Sequence, residues 1–163
     1  MNLEALLLHH EINQLNAAYA AALDERRFND WPEFFAQDGR YQIQSRENFD
    51  RKLPLCLMDL ESRAMMQDRV VGITQTIYHA PYYTRHVQSP AQVLSEAGSV
   101  VHTQTHYAVF RTKPGASGEG TSEVFSVGRC MDELVRVDGA LKFKLRRVVY
   151  DSEMILNSVI YPI

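Results

Sequence analysis

Residues 121–151, TSEVFSVGRCMDELVRVDGALKFKLRRVVYD, leave this chain the fewest ways to fold. Two runs of period-two alternation flank Asp138-Gly139, a dipeptide suited to a two-residue type I′ turn, so the stretch reads as one long hairpin. Phe125, Val127, Met131, Val135 and Val137 share one parity of the first arm, and Leu141, Phe143, Leu145 and Val149 share one parity of the second. That pattern predicts a buried face made of these residues, with Lys142, Lys144 and Arg146 pointing away from it. A curved sheet is therefore the expected core, and it serves either to enclose a working pocket or to carry another protein.

The remaining chain supplies what covers such a sheet. Leu8, Ile12, Leu15, Tyr19 and Ala22 recur at helical spacing between Asn2, a plausible N-cap, and Arg26. Asp30, Pro32 and Glu33 have the capping-box pattern of a second, short helix at Trp31–Phe35, which Asp38-Gly39 would end before a short strand at Arg40–Ser45. Trp31, Phe34 and Phe35 read as core filling. Residues 46–59 carry mixed signals and read as loop with a turn of helix, whereas Met66, Val70, Ile73 and Ile77 predict a third helix over Leu60–Tyr78, stopped by Pro81. Tyr83–Gln88, Gln92–Glu96 and Ser99–Lys113 read as strands, and Lys113–Gly120 as a loop tip rich in turn residues. Helices followed by a long meander give an α+β order, and three N-terminal helices laid on a strongly bent antiparallel or mixed sheet make a cone.

At 163 residues the chain is expected to form one domain, 1–163, large enough to bury a core without staples. A net charge of −3, with no basic run longer than Arg146-Arg147, argues against a nucleic-acid footprint. No stretch approaches about 20 apolar residues and Leu6-Leu7-Leu8 has no basic flank, so a cytoplasmic protein with no membrane contact is expected. Cys56 and Cys130 then read as free thiols.

Several patterns invite chemistry. His102-Thr-Gln-Thr-His106 would chelate on a helix, but in an alternating strand the two residues lie about 13 Å apart. No cysteine stands within three residues of a histidine, so the two close Cys-plus-His pairs of a Rieske cluster are missing. Residues 115–120 lack the helix and the Lys-Ser/Thr of a phosphate loop, and no serine sits in a Gly-x-Ser-x-Gly elbow. A pocket acid–base site remains: Asp24, with His86 and Tyr83 near one strand, has the residue types for a dehydration or isomerisation at the mouth of a cone. The plain alternative is that Asp24 pairs with Arg26 or Arg27 or ends the helix, and that His86 is a sheet residue satisfied by a neighbour.

Tyr19–Asp24 followed by Trp31–Tyr41 resembles the opening of the nuclear-transport-factor-2-like superfamily, which holds both enzymes and non-catalytic modules. Asp68-Arg69-Val70, Tyr83–Val87, Tyr107–Arg111, Gly128–Asp132, Arg136, Asp138-Gly139 and Arg146–Asp151 resemble, in order and spacing, the small (β) subunit of bacterial Rieske-type aromatic-ring-hydroxylating dioxygenases. Tyr150 departs from that pattern, which more often has an aliphatic residue there. The resemblance covers essentially the whole chain and is nearest to small subunits serving aromatic carboxylates such as terephthalate, salicylate or anthranilate.

The resemblance implies a non-catalytic subunit with no cofactor of its own, part of a hetero-hexamer for aromatic hydrocarbon catabolism. Small subunits trimerise within an α3β3 assembly, while the large (α) subunit holds the Rieske [2Fe–2S] cluster and the mononuclear iron and receives electrons from NAD(P)H through a reductase. Arg85, Arg146, Arg147 and Asp151 are the candidate partner-interface residues. Two other readings stay open: a free-standing dehydratase or isomerase using Asp24, Tyr83 and His86, and a small-ligand binder without turnover.

Overall fold

The computed structural model describes residues 2–115, 120–155 and 158–163, so part of the predicted loop tip, residues 116–119, lies outside the described residues. The Asn2 side chain accepts the Ala5 N–H at 2.9 Å and starts helix α1, Leu3–Asp24. Its buried stripe is Ile12, Asn16, Tyr19, Ala22 and Leu23. The capping box expected after it does not form: Asp30 bonds Arg27 rather than a backbone N–H, and Trp31–Phe34 is a 3₁₀ turn.

Strand β1 spans Phe35–Ser45, five residues earlier than expected, because it passes through Asp38-Gly39 on an irregularity instead of ending there. A Cβ on Gly39 would lie 2.9 Å from the carbonyls of both Ala36 and Phe143, an approach only glycine permits. Helix α2, Arg46–Asp50, is capped by Ser45, and strand β2, Met58–Leu60, pairs with β1. Leu60 is thus a sheet residue opposite Tyr41, and helix α3 starts later than predicted, at Arg63–Val71, before relaxing into a π turn over Gly72–Thr76.

Strands β3 (Tyr83–Gln88), β4 (Gln92–Ala97), β5 (Val100–Thr112), β6 (Ser122–Val137) and β7 (Ala140–Tyr150) complete one sheet. Its order is β2-β1-β7-β6-β5-β3, with β4 also on β5. On the edge away from β6, the long β5 serves two partners: Val100–Gln104 pairs with β4 and Tyr107–Thr112 with β3. β1 and β7 run parallel and the other pairs antiparallel. The hairpin turn is as predicted, with Asp138 at φ 51° and Gly139 at φ 82°.

The predicted parity of the hairpin is corrected by two bulges. Phe125 is the extra residue of one and Lys144 of the other, since Val109 and Phe110 face Ser126 and Val124, while Glu133 and Leu134 face Leu145 and Phe143. Each bulge moves the following residues to the other face. Cys130, Asp132 and Leu134 point inward instead of Val127, Met131 and Val135, and Arg146, Val148 and Tyr150 point inward instead of Leu145. Arg146, expected on the outer face and at a partner interface, is 0 % exposed and lies inside the cone.

The inner face is built in rows. Thr103, Asp132, Arg146 and Tyr41 lie across one, Thr105, Cys130, Val148 and Ile43 across the next, and Tyr107, Gly128, Tyr150 and Ser45 across a third. Helix α1 lies over them, where Tyr19 meets Phe143 edge-on at 5.6 Å and Trp31 donates to the Tyr19 hydroxyl at 3.1 Å. The last residues close the cone from the other side. Arg69 donates to the Val159 and Ile160 carbonyls, Tyr161 packs on Tyr82 and Phe28, and Tyr19 donates to the Ile163 carbonyl at 2.9 Å. Aromatic side chains and this returning segment pack together in the core.

Candidate functional site

Asp24 ends α1 where β3 passes beneath it, and alternation along β3 turns Thr84 and His86 toward the carboxylate. Asp24 Oδ1 lies 2.6 Å from His86 Nδ1 and accepts the Thr84 hydroxyl at 3.1 Å, while Oδ2 accepts the His86 backbone N–H at 3.0 Å. Burial pushes the Asp24 carboxyl up, but the His86 hydrogen bonds and charge, with Thr84, outweigh it and hold the carboxyl below its ordinary value. The structure therefore brings Asp24 and His86 together, and Asp24 takes neither Arg26 nor Arg27 as its partner. Arg26 donates to the Tyr82 carbonyl, and Arg27 pairs with Glu25 and Asp30.

Tyr83 is not brought to this pair. It falls on the opposite face of β3, exposed, with the Arg26 guanidinium 4.6 Å from its ring centroid. A carboxylate–imidazole pair can run acid–base chemistry only if substrate reaches the far ring nitrogen. Here the His86 side chain is 1 % exposed and that of Asp24 6 %, and His86 Nε2 is buried without a hydrogen-bond partner among the described residues. The pair fastens the end of the helix to an edge strand.

A second buried pair escaped the sequence reading. Asp132 and Arg146 face each other across the β6–β7 ladder, 3.7 Å apart and both fully buried. Counting outward from the turn places Leu145 opposite Asp132; only the extra residue Lys144 slides Arg146 into register. Arg146 donates to Asn16 Oδ1 at 3.3 Å and stacks its guanidinium 4.2 Å from the Tyr19 centroid and 4.5 Å from that of Phe143. Burial raises the Asp132 carboxyl to about 6 against the pull of Arg146, and burial likewise pushes the neighbouring Cys130 thiol up to about 11. Burial works against the Arg146 charge, but Asp132, Cys130 and Tyr19 hold it protonated.

The other candidates are spread over the outer face. Arg147 donates to Gln42 at 2.9 Å, Asp151 pairs with Arg46 at 3.4 Å, and Arg85 is exposed, its Nη1 3.9 Å from Asp24 Oδ2. His102 and His106 lie on the outer side of β5, opposite Glu133 and Arg129. Cys130 is buried inside the cone and Cys56 lines an outer cleft. Among the described residues, no three His, Cys, Asp or Glu side chains group closely enough to hold a metal ion, and no helix is long and apolar enough to cross a membrane.

A family model described as the SnoaL-like domain matches residues 4–147. The anthranilate 1,2-dioxygenase small subunit of Burkholderia cepacia is 30 % identical over 153 residues, which cover 94 % of this chain and 92 % of that one. The chain is a SnoaL-like domain of the dioxygenase small-subunit family. The beta 2 subunit of the terminal oxygenase component of terephthalate 1,2-dioxygenase from a Comamonas species is 28 % identical over 142 residues, 87 % of this chain and 90 % of the relative. A crystal structure of a beta subunit assigned to an aromatic-ring-hydroxylating dioxygenase of Novosphingobium aromaticivorans superposes with a TM-score of 0.85 at 29 % identity, covering 96 % of this chain and 97 % of the other.

Proposed function

We propose that the chain is the non-catalytic small subunit of a multicomponent oxygenase whose large subunit hydroxylates an aromatic carboxylate of the anthranilate or terephthalate kind. The observation that carries this reading is the burial of the acid–base pair. Asp24 and His86 are walled in, and Tyr19, Trp31, Phe143 and the Arg146–Asp132 pair pack the inner face under α1, which leaves the pair no access to substrate. The relatives whose names specify small or beta subunits of dioxygenases support the same role. The assembly we infer is an α3β3 hexamer in the cytoplasm, with Arg85, Arg147 and Asp151 available at its interfaces and Arg146 excluded by burial.

The chemistry then belongs to the partner. A Rieske [2Fe–2S] cluster and a mononuclear iron, fed from NAD(P)H through a reductase, would supply electrons and activate O₂ there. This chain's own donors do not fit either centre, because its two thiols lie in separate environments and, among the described residues, no three His, Cys, Asp or Glu side chains group closely enough to hold a metal ion. The purified chain is expected to hold no iron and to show no visible absorbance; one iron per chain by elemental analysis would overturn the reading. The 2.6 Å contact of Asp24 with His86 favours a second reading, a free-standing dehydratase or isomerase, but Tyr83 stands outside that pair.

A further inference from the structure

The segment Lys52–Leu57, KLPLCL, is a loop held rigidly from behind while its apolar side chains face solvent. Gln44 donates to the Leu53 carbonyl at 2.7 Å, Asn48 to that of Leu55 at 3.2 Å, and the Leu57 N–H to Ile43 at 2.7 Å. Leu53 and Leu57 are nonetheless exposed, Leu55 is 70 % exposed, and Met154 beyond them 75 %. Two clefts flank the loop: one of about 650 Å³ lined by Phe49, Lys52, Leu53 and Arg147, the other of about 500 Å³ lined by Leu57, Met58 and Met154. Ordered leucines turned outward beside concave surface are the marks of a face that another protein covers.

The charges say what kind of surface fits. Around the first cleft Arg40 pairs with Asp59, Arg46 with Asp50 and Asp151, Arg51 with Glu47 and Arg129 with Asp50. Arg147 and Lys52 have no carboxylate partner among the described residues, and Arg147 is held only through Nε to Gln42, with its guanidinium 5.8 Å from the Phe49 centroid. Arg147 and Lys52 are thus two cations beside the cleft without an ion pair of their own, which carboxylates of a partner would supply.

We propose that the Lys52–Leu57 loop with Arg147 is the docking surface for the large subunit, receiving a segment that carries apolar side chains flanked by carboxylates. This rests on the small-subunit reading and names the surface it uses. The test is co-expression of the full chain with its tagged large subunit, comparing wild type, Leu55→Asp, the double variant Lys52→Glu/Arg147→Glu, and Val87→Asp, an exposed apolar position on β3. The first two variants are expected to lower co-purified small subunit at least tenfold while their thermal melts and their sedimentation as isolated chains match wild type, and Val87→Asp is expected to leave the yield unchanged. Unchanged yield in both loop variants would overturn the proposal, as would loss of self-association in the isolated variants, which would make a second copy the occupant. Failure of wild type itself to bind the large subunit would instead overturn the small-subunit reading.

Discussion

The residue with most to lose from its surroundings is Asp132, fully buried opposite Arg146 with neither oxygen hydrogen-bonded among the described residues. Its carboxyl rises from 3.8 to about 6 because burial disfavours the charged form more than Arg146 restores it. A carboxyl raised in the folded state favours the protonated form, so its contribution to stability is complete below about pH 4 and is lost as pH climbs through 6. At about 1.4 kcal/mol per decade this is worth about 3 kcal/mol. Wild type is therefore expected to lose about that much relative to Asp132→Asn between pH 4 and pH 7.5 in urea denaturation. The carboxyls held low by partners, such as Asp24 and Asp59, change stability in the opposite direction but are common to both proteins and cancel. A difference that stays flat with pH would contradict the assignment.

At the scale of elements, the hairpin shows what alternation can and cannot tell. Its turn and its length followed from Asp138-Gly139 and two alternating arms. Its facing did not, because a bulge adds one residue with no mark in the hydrophobic pattern, and Lys144 then sends a charged Arg146 inward and an apolar Leu145 outward. The Asp24–His86 pair was legible as residue types, since an acid ending a helix and a histidine on a strand are what such a site needs. Its burial was not, because no pattern in the sequence says what packs around the end of a helix and an edge strand. The Gly128–Asp132 motif finds its physical reason here: Gly128 lets β6 and β7 approach so closely that a Cβ would sit 2.0 Å from the Val149 carbonyl oxygen, and Asp132 is the buried acid. Gly128→Ala is expected to cost about 4 kcal/mol and lower Tm by about 12 °C. Gly72→Ala, whose Cβ would meet nothing nearer than Ile77 Cδ1 at 3.7 Å, should stay within about 1 kcal/mol, and equal effects at the two sites by calorimetry would argue against the close approach.

For the whole molecule, the interior goes to aromatic packing, a buried ion pair and residues 159–163. What such a protein contributes to an oxygenase is shape: a rigid sheet, an apolar loop and unmatched cations that position a partner. The Asp24–His86 pair divides the two accounts of this chain, because it is either a clamp between a helix and a strand or the remains of a catalytic centre. The deciding measurement is the turnover of the assembled oxygenase carrying Asp24→Asn, with subunit stoichiometry checked in the same preparation. A clamp predicts turnover within a few-fold of wild type; a loss of several orders of magnitude with assembly intact would contradict a non-catalytic role.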